Sequence, residues 1–277
     1  MKFCLTRYLT RIDYKGRAQA DLATLRDIHL HHVCAIPFEN LDVLLERPIQ
    51  LDAESLFAKL VVARRGGYCF EQNGLLKLAL NALGFDVEDL AARVLVMAPA
   101  EMPPRTHRLM RIRIDDQWWL ADVGFGGSTL SAPIRLMADQ PQQTPHGRYR
   151  LVRQEPGWLL QRWQEENWQP LYLFDLAMQY PSDYQMANHY VASWPESHFR
   201  HHLLMSRWLP DGGQLRLYND RLTRCDSDGN EMQQLFNDSS SLFTALRQAF
   251  NLGTDDKTHG ISETAFHQIW SDLKILK

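Results

Sequence analysis

The chain is short of several features, and each shortage excludes a class of protein. No window of 18 residues is continuously apolar, so no segment is long enough to cross a bilayer as a helix, and no membrane partner is expected. The first sixteen residues carry Lys2, Arg7, Arg11 and Asp13 where a secretory signal would have an apolar core. Only four cysteines, at 4, 34, 69 and 225, are spread over 277 residues, none in a Cys-x-x-Cys pair. That is too sparse for a disulfide scaffold and has no metal-ligand spacing. A reducing cytoplasm with free thiols is the expected compartment. An excess of positive charge is missing too. Thirty Lys and Arg against 33 Asp and Glu leave a net charge of −3, which offers nucleic acid no basic face. There is no repeat and no low-complexity tract. What remains, 45% hydrophobic and 23% charged residues, is an ordinary globular mixture.

The hydrophobic pattern changes along the chain. Residues 1–85 read as helical. Asp21 is placed to cap a helix through Leu22, Leu25, Ile28 and Leu30, and Asp52 another through Leu56, Leu60 and Val61 that stops at Gly66-Gly67. A third run follows Tyr68, through Leu75, Leu76, Leu78, Ala79 and Leu83, and stops at Gly84. From 86 to 200 the period becomes two: Val94, Val96, Met110, Ile112, Ile114, Trp119, Ala121 and Val123 alternate between turn signals. This predicts an antiparallel barrel or sandwich. From 201 to 277, strands Leu203 to Leu209 and Gln214 to Tyr218 flank a Pro-Asp-Gly-Gly turn. Two helices follow, capped by the serines at 239–241 and by Ser262. The expected class is α+β, in three parts: 1–85, 86–200 and 201–277.

The segment from Arg64 to Glu71 carries the most chemistry. Gly66 and Gly67 permit a tight turn and close approach of a ligand. A helical run begins directly afterwards, so Cys69 falls in its first turn. Free N–H groups and the helix dipole at such a position favour a thiolate, the nucleophilic form of cysteine. A small buried cysteine behind a glycine turn would read the same on this segment alone. Cys4, Cys34 and Cys225 lack the setting.

A nucleophilic cysteine needs a base, and the base an orienting group. The run from His107 to Ile114, then Asp115-Asp116, then Gln117 to Val123 reads as strand, turn, strand. A two-residue turn pairs Ile114 with Gln117 and sets His107 diagonal to Asp122; a four-residue turn sets them opposite. Either register puts both side chains on one face, roughly 5–8 Å apart, whereas an odd-length loop would separate them. Asp122 shares its face with Trp118 and Leu120, a poor place for an unpaired charge, and an imidazolium partner explains it. The clusters His29, His31, His32 and His198, His201, His202 lack a completing carboxylate or thiol, and the surroundings of the second read as strand. No metal site is expected.

At this point the sequence resembles a known family. Ile36 to Asp42, Arg64 to Asn73, Thr106 to Leu109 and Ala121 to Gly126 are similar, in order and spacing, to the bacterial arylamine N-acetyltransferases that also act on N-hydroxyarylamines. The resemblance implies a helical bundle, a central β-barrel and an α/β lid around a cysteine-protease-like catalytic core. It implies a Cys69, His107, Asp122 triad and two-step acetyl transfer from acetyl-CoA to an aromatic amine, hydrazine or N-hydroxyarylamine. It places Phe38, Thr106 and Phe125 at the acceptor and Gly126, Gly127 and Ser128 near the CoA cleft. It also implies an ion pair between Arg64 and Glu39. Acetyl-CoA is the expected co-substrate, and a monomer or homodimer the expected assembly. A cysteine hydrolase or transglutaminase-like enzyme would use the same triad, and a binding module would keep the fold without it.

Overall fold

The structure, a computed structural model, describes residues 2–96, 99–253, 256 and 258–275. Asp21 caps the helix Leu22–Ala35 by accepting the Thr24 N–H at 2.8 Å. Asp52 caps Ala53–Leu56 in the same way, through the N–H groups of Glu54 and Ser55. That second helix widens into a π-helical stretch, Phe57–Val62, and ends before the glycines expected to stop it. The cause is Arg64, whose φ of 54° is left-handed and incompatible with continuing the helix. The helix Cys69–Ala82 starts at a capping box, in which the Glu71 carboxylate accepts the Tyr68 N–H at 3.1 Å.

The period-two region builds an eight-stranded antiparallel sheet. Its spatial order is Ile134–Arg135, Gln117–Ala121, Arg105–Ile114, Asp86–Val94, Asn167–Phe174, Gly157–Gln164, Gly147–Gln154, Gln142–Thr144. The two outer strands nearly close it into a barrel. Gln142 bridges them with its side-chain amide, accepting the Arg135 N–H at 2.7 Å and donating to the Arg135 carbonyl at 2.9 Å. The predicted hairpin is present in its two-residue form: Asp115 and Asp116 both take positive φ, 49° and 58°, and Ile114 pairs with Gln117. Two left-handed residues suit a tight turn between twisted strands.

A second antiparallel sheet runs Phe38–Glu39, Leu204–Trp208, Gln214–Tyr218, Arg221–Cys225, Glu231–Leu235. The helices Ser239–Phe250 and Glu263–Ile275 pack near one another beside it. The first of these is capped by Asp238, which accepts the Ser241 N–H, and not by the serines. Ser262 does accept the Ala265 N–H at 3.1 Å. The strand pattern did not foretell two helices, Pro181–Ser193 within 86–200 and His198–His201 across its end.

The strand Arg105–Ile114 is buried on both faces. Met110, Ile112 and Ile114, with Trp119, Ala121 and Val123, pack outward on Leu25, Ile28, Val33, Leu76 and Leu80 of the helices. Leu109 and Leu120 point the other way, into the barrel with Leu90, Tyr149, Leu160 and Tyr172. The alternating apolar set is therefore the outer face of the barrel, where it meets the helices. His107 and Asp122 share the parity of Leu109 and Leu120 and belong to the inner face.

Candidate active site

The turn before Cys69 is held by close backbone packing. A Cβ on Gly66 would lie 2.1 Å from the Pro37 carbonyl oxygen, so only glycine fits there. What approaches is the protein's own chain. Gln72 ties the same segments, donating to the carbonyls of Pro37 at 2.8 Å and Gly67 at 3.2 Å. Cys69 is buried at the helix start, its Sγ 3.7 Å from the Thr106 carbonyl oxygen.

His107 Nε2–H donates to Asp122 Oδ2 at 2.7 Å, which leaves Nδ1 available, and the Cys69 sulfur is near enough to act on the His107 proton. Burial alone would lower the proton affinity of His107. The Asp122 charge and hydrogen bond, aided by Cys69, outweigh it and raise the pKa to about 10. Burial likewise pushes the Asp122 carboxyl up. His107, Asn73 and the Gly124 N–H together hold it below the ordinary carboxylate value. Asp122 has no exposed surface. Its Oδ1 accepts from Asn73 Nδ2 and from the Gly124 N–H, each at 2.9 Å. Asn73 also accepts the Val123 N–H at 3.0 Å, so one carboxamide on the Cys69 helix fixes the end of the strand carrying Asp122.

Phe125 and Tyr172 flank the imidazole, with ring centroids 4.9 and 5.0 Å from it. Phe38 lies against Gly126, 3.6 Å from where a Cβ would stand, and 6.2 Å from Phe199. Phe38, Phe125, Thr106 and Phe199 are each half-buried. Gly126–Ser128 forms a 3-10 turn, entered with a left-handed Gly126 at φ 74°. The Gly127 carbonyl accepts from Gln214 at 2.6 Å and from Arg162 at 3.4 Å, and Arg162 also reaches Ser128 Oγ at 3.4 Å. Arg216 packs on Gly127. The Nε groups of Arg162 and Arg216 are buried without hydrogen-bond partners.

The expected ion pair is shifted by one residue. Arg64 is exposed, and it is Arg65, fully buried, that binds Glu39 at 2.7 Å and Asp42 at 3.2 Å. The left-handed Arg64 turns its own side chain outward and the next one inward. Lys59 extends the network, 2.5 Å from Asp42 and 2.7 Å from Glu71. Burial would raise the Asp42 carboxyl, but Lys59 and Arg65 hold it well below the usual range. The charges thus brace the turn from beneath through Glu71.

His198 and His202 flank a helical turn where strand was expected, with ring centroids 4.4 Å apart. Tyr218 and Asn219 take up His202 Nδ1. Among the described residues no group of His, Cys, Asp and Glu is arranged to hold a metal ion. Asn73, Tyr172, Phe199, Arg162 and Arg216 stand around these residues and were assigned no role from the sequence. Only Asn73 carried a signal, one turn beyond Cys69 on the same helix face.

Comparison with known proteins gives this arrangement its class. Residues 21–259 match the sequence model of the N-acetyltransferase family. An arylamine N-acetyltransferase of Escherichia coli (strain K12) is 51% identical over 258 residues, 93% of this chain and 92% of the relative. One from Salmonella typhimurium, also named N-hydroxyarylamine O-acetyltransferase, is 52% identical over 260 residues, 94% of this chain and 92% of the relative. The solved structure of a Salmonella typhimurium arylamine N-acetyltransferase superposes with a TM-score of 0.95 at 49% identity, covering 98% of this chain and 99% of the other. That of the Mycobacterium marinum enzyme in complex with CoA gives 0.91 at 34%, covering 97% and 99%. Fold and sequence together define an acyltransferase. Within that class, the chain belongs to the arylamine N-acetyltransferase family.

Proposed function

We propose that the enzyme transfers acetyl from acetyl-CoA to arylamines, hydrazines and N-hydroxyarylamines by a ping-pong route through an acetyl thioester on Cys69. The observation that carries this reading is the buried His107, bound to Asp122 at 2.7 Å and near enough to Cys69 to interact with it. A thiolate at Cys69 attacks the thioester carbonyl. The bond from carbonyl to CoA sulfur breaks, and the His107 imidazolium protonates the departing sulfur. The acceptor nitrogen, or the hydroxylamine oxygen, then attacks the acetyl group. His107 takes its proton, and Cys69 leaves as thiolate, restoring the starting ion pair. Asp122 keeps the imidazole oriented and stabilises its charged form.

The residues suit both substrates. Arg162 and Arg216, with unused Nε–H groups beside Gly127 and Ser128, supply cationic donors for the phosphates of CoA. Phe38, Phe125 and Phe199 offer aromatic faces on which an arylamine ring can lie, and Thr106 adjoins the sulfur. On this reading 1–85 supplies the nucleophile and 86–200 the base and its carboxylate, while 201–277 brings Gln214 and Arg216 to the CoA side.

Intact-protein mass spectrometry tests both half-reactions. Acetyl-CoA without acceptor should add one acetyl group that maps to Cys69, and an added arylamine should remove it. An adduct that persists would overturn the acceptor class. No adduct, despite rapid alkylation of Cys69 by iodoacetamide, would favour a hydrolase or transglutaminase chemistry instead.

A further inference from the structure

Every polar atom of Asp122 is tied down, and one tie leads to a residue with no place in the chemistry above. The carbonyl oxygen accepts from Thr129 Oγ1 at 2.9 Å. The carboxylate is held by His107, Asn73 and Gly124. The backbone N–H donates to Nε2 of His29 at 3.2 Å. His29 stands on the helix Leu22–Ala35 with no exposed surface. A ring nitrogen that accepts an amide proton carries none of its own, so His29 is the neutral tautomer with its proton on Nδ1. Nδ1 is buried and has no hydrogen-bond partner.

The same helix carries His32, and the contrast between the two is informative. Gln72 donates its amide protons to Pro37 and Gly67, so its oxygen accepts from His32 Nε2 at 2.8 Å. His32 Nδ1 faces the Tyr8 hydroxyl at 2.9 Å, which can donate or accept. A second proton on His32 therefore finds an acceptor. A second proton on His29 would meet the Asp122 N–H head-on, donor against donor.

We propose that His29 is a positioning residue for Asp122: unprotonated, it anchors the Asp122 backbone and so the orientation of His107; protonated, it releases that backbone and switches the site off. Burial lowers the His29 pKa to about 4, against the upward pull of the Asp122 charge. The other titratable neighbour is His32, itself lowered to about 3 by burial. His107, raised to about 10, keeps its proton throughout this range, so an acid limb near about pH 4 that His29→Gln removes belongs to His29, and one that persists does not. The proposal rests on the reading that Asp122 orients His107.

The test is the pH dependence of kcat and of the Cys69 alkylation rate in two variants. His29→Gln keeps an acceptor oxygen and cannot be protonated. It should retain neutral-pH turnover and stay active into acid where the wild type fails. His29→Leu removes the acceptor and should lower kcat about 10- to 100-fold at every pH, with both KM values unchanged. A His29→Leu enzyme with wild-type kcat and pH profile, beside a slow Asp122→Asn enzyme, would overturn the positioning role alone. An Asp122→Asn enzyme with normal turnover would overturn the reading beneath it. An acid limb in His29→Gln identical to that of the wild type would overturn the proton switch.

Discussion

The backbone at Gly124 runs directly against Cys69: a Cβ placed on Gly124 would lie 2.7 Å from the Cys69 Cα and 2.9 Å from Asn73 Nδ2. The end of one barrel strand thus sits on the first turn of the helix bearing the thiol. The expectation is that this contact sets the spacing of thiol and imidazole. Gly124→Ala must push the two segments apart, at a cost of about 1–3 kcal/mol, and should lower turnover well beyond what its loss of stability explains. Thermal unfolding and kcat measured on the same preparation check this; full turnover would show that the contact does not set the site.

Asp122→Asn keeps the shape of the side chain and loses its charge. With that charge gone, burial dominates His107, and its proton affinity should drop below the ordinary histidine value. Turnover should fall by about three to four orders of magnitude, as for the equivalent change in serine proteases. Alkylation of Cys69 reports the thiolate, and with the neighbouring imidazolium lost its rate at neutral pH should fall.

Two adjacent arginines should behave oppositely. Arg65→Met strands Glu39 in the interior and leaves Asp42 to Lys59, a loss of about 3–5 kcal/mol. Arg64→Gly relieves a left-handed residue on the surface and should be neutral or slightly stabilising. Urea denaturation of both variants separates them.

Arg162→Gln and Arg216→Gln should each raise KM for acetyl-CoA several-fold, through loss of a charge-assisted contact of about 1 kcal/mol or more. The KM for the arylamine should not move. Steady-state kinetics with each substrate varied in turn decide it; equal rises for both substrates would place these arginines elsewhere than at the CoA phosphates.

The pH dependence of stability follows from three histidines. His29 and His32 are lowered to about 4 and about 3. Between these values and about 6.5 the unfolded chain binds more protons than the folded one, so stability falls as the pH falls. His107 is raised to about 10. Its contribution is complete below about 6.5 and is lost as the pH rises toward 10. The unfolding temperature should therefore decline on both sides of neutrality. Calorimetry near about pH 5 should show the uptake of about two protons by His29 and His32 on unfolding.

Local rules were enough for some of this protein. Asp21 and Asp52 cap helices because a carboxylate two or three residues away meets free N–H groups whatever the rest of the chain does. The hairpin at Asp115-Asp116 sets the register of His107 and Asp122 because strand parity is a local property. The Cys69 turn was legible for the same reason. The wrong expectations came where a distant group decides. Arg64 and Arg65 look alike in sequence, and only a backbone turned left-handed by packing chooses which of them is buried. Asp238, and not one of the serines that follow it, wins the cap of the helix Ser239–Phe250.

The sequence by itself determined the helix starts at Asp21 and Asp52, the strand parity and the residues able to serve as reacting groups, all of which depend on residues within a few positions of one another. The tertiary structure alone decided what surrounds them. Asn73 meets Asp122 across 49 positions and His29 across 93, while Arg216 of the second sheet packs on Gly127 of the barrel. Such pairings follow from the burial of several separate apolar faces at once, and no spacing along the chain encodes them.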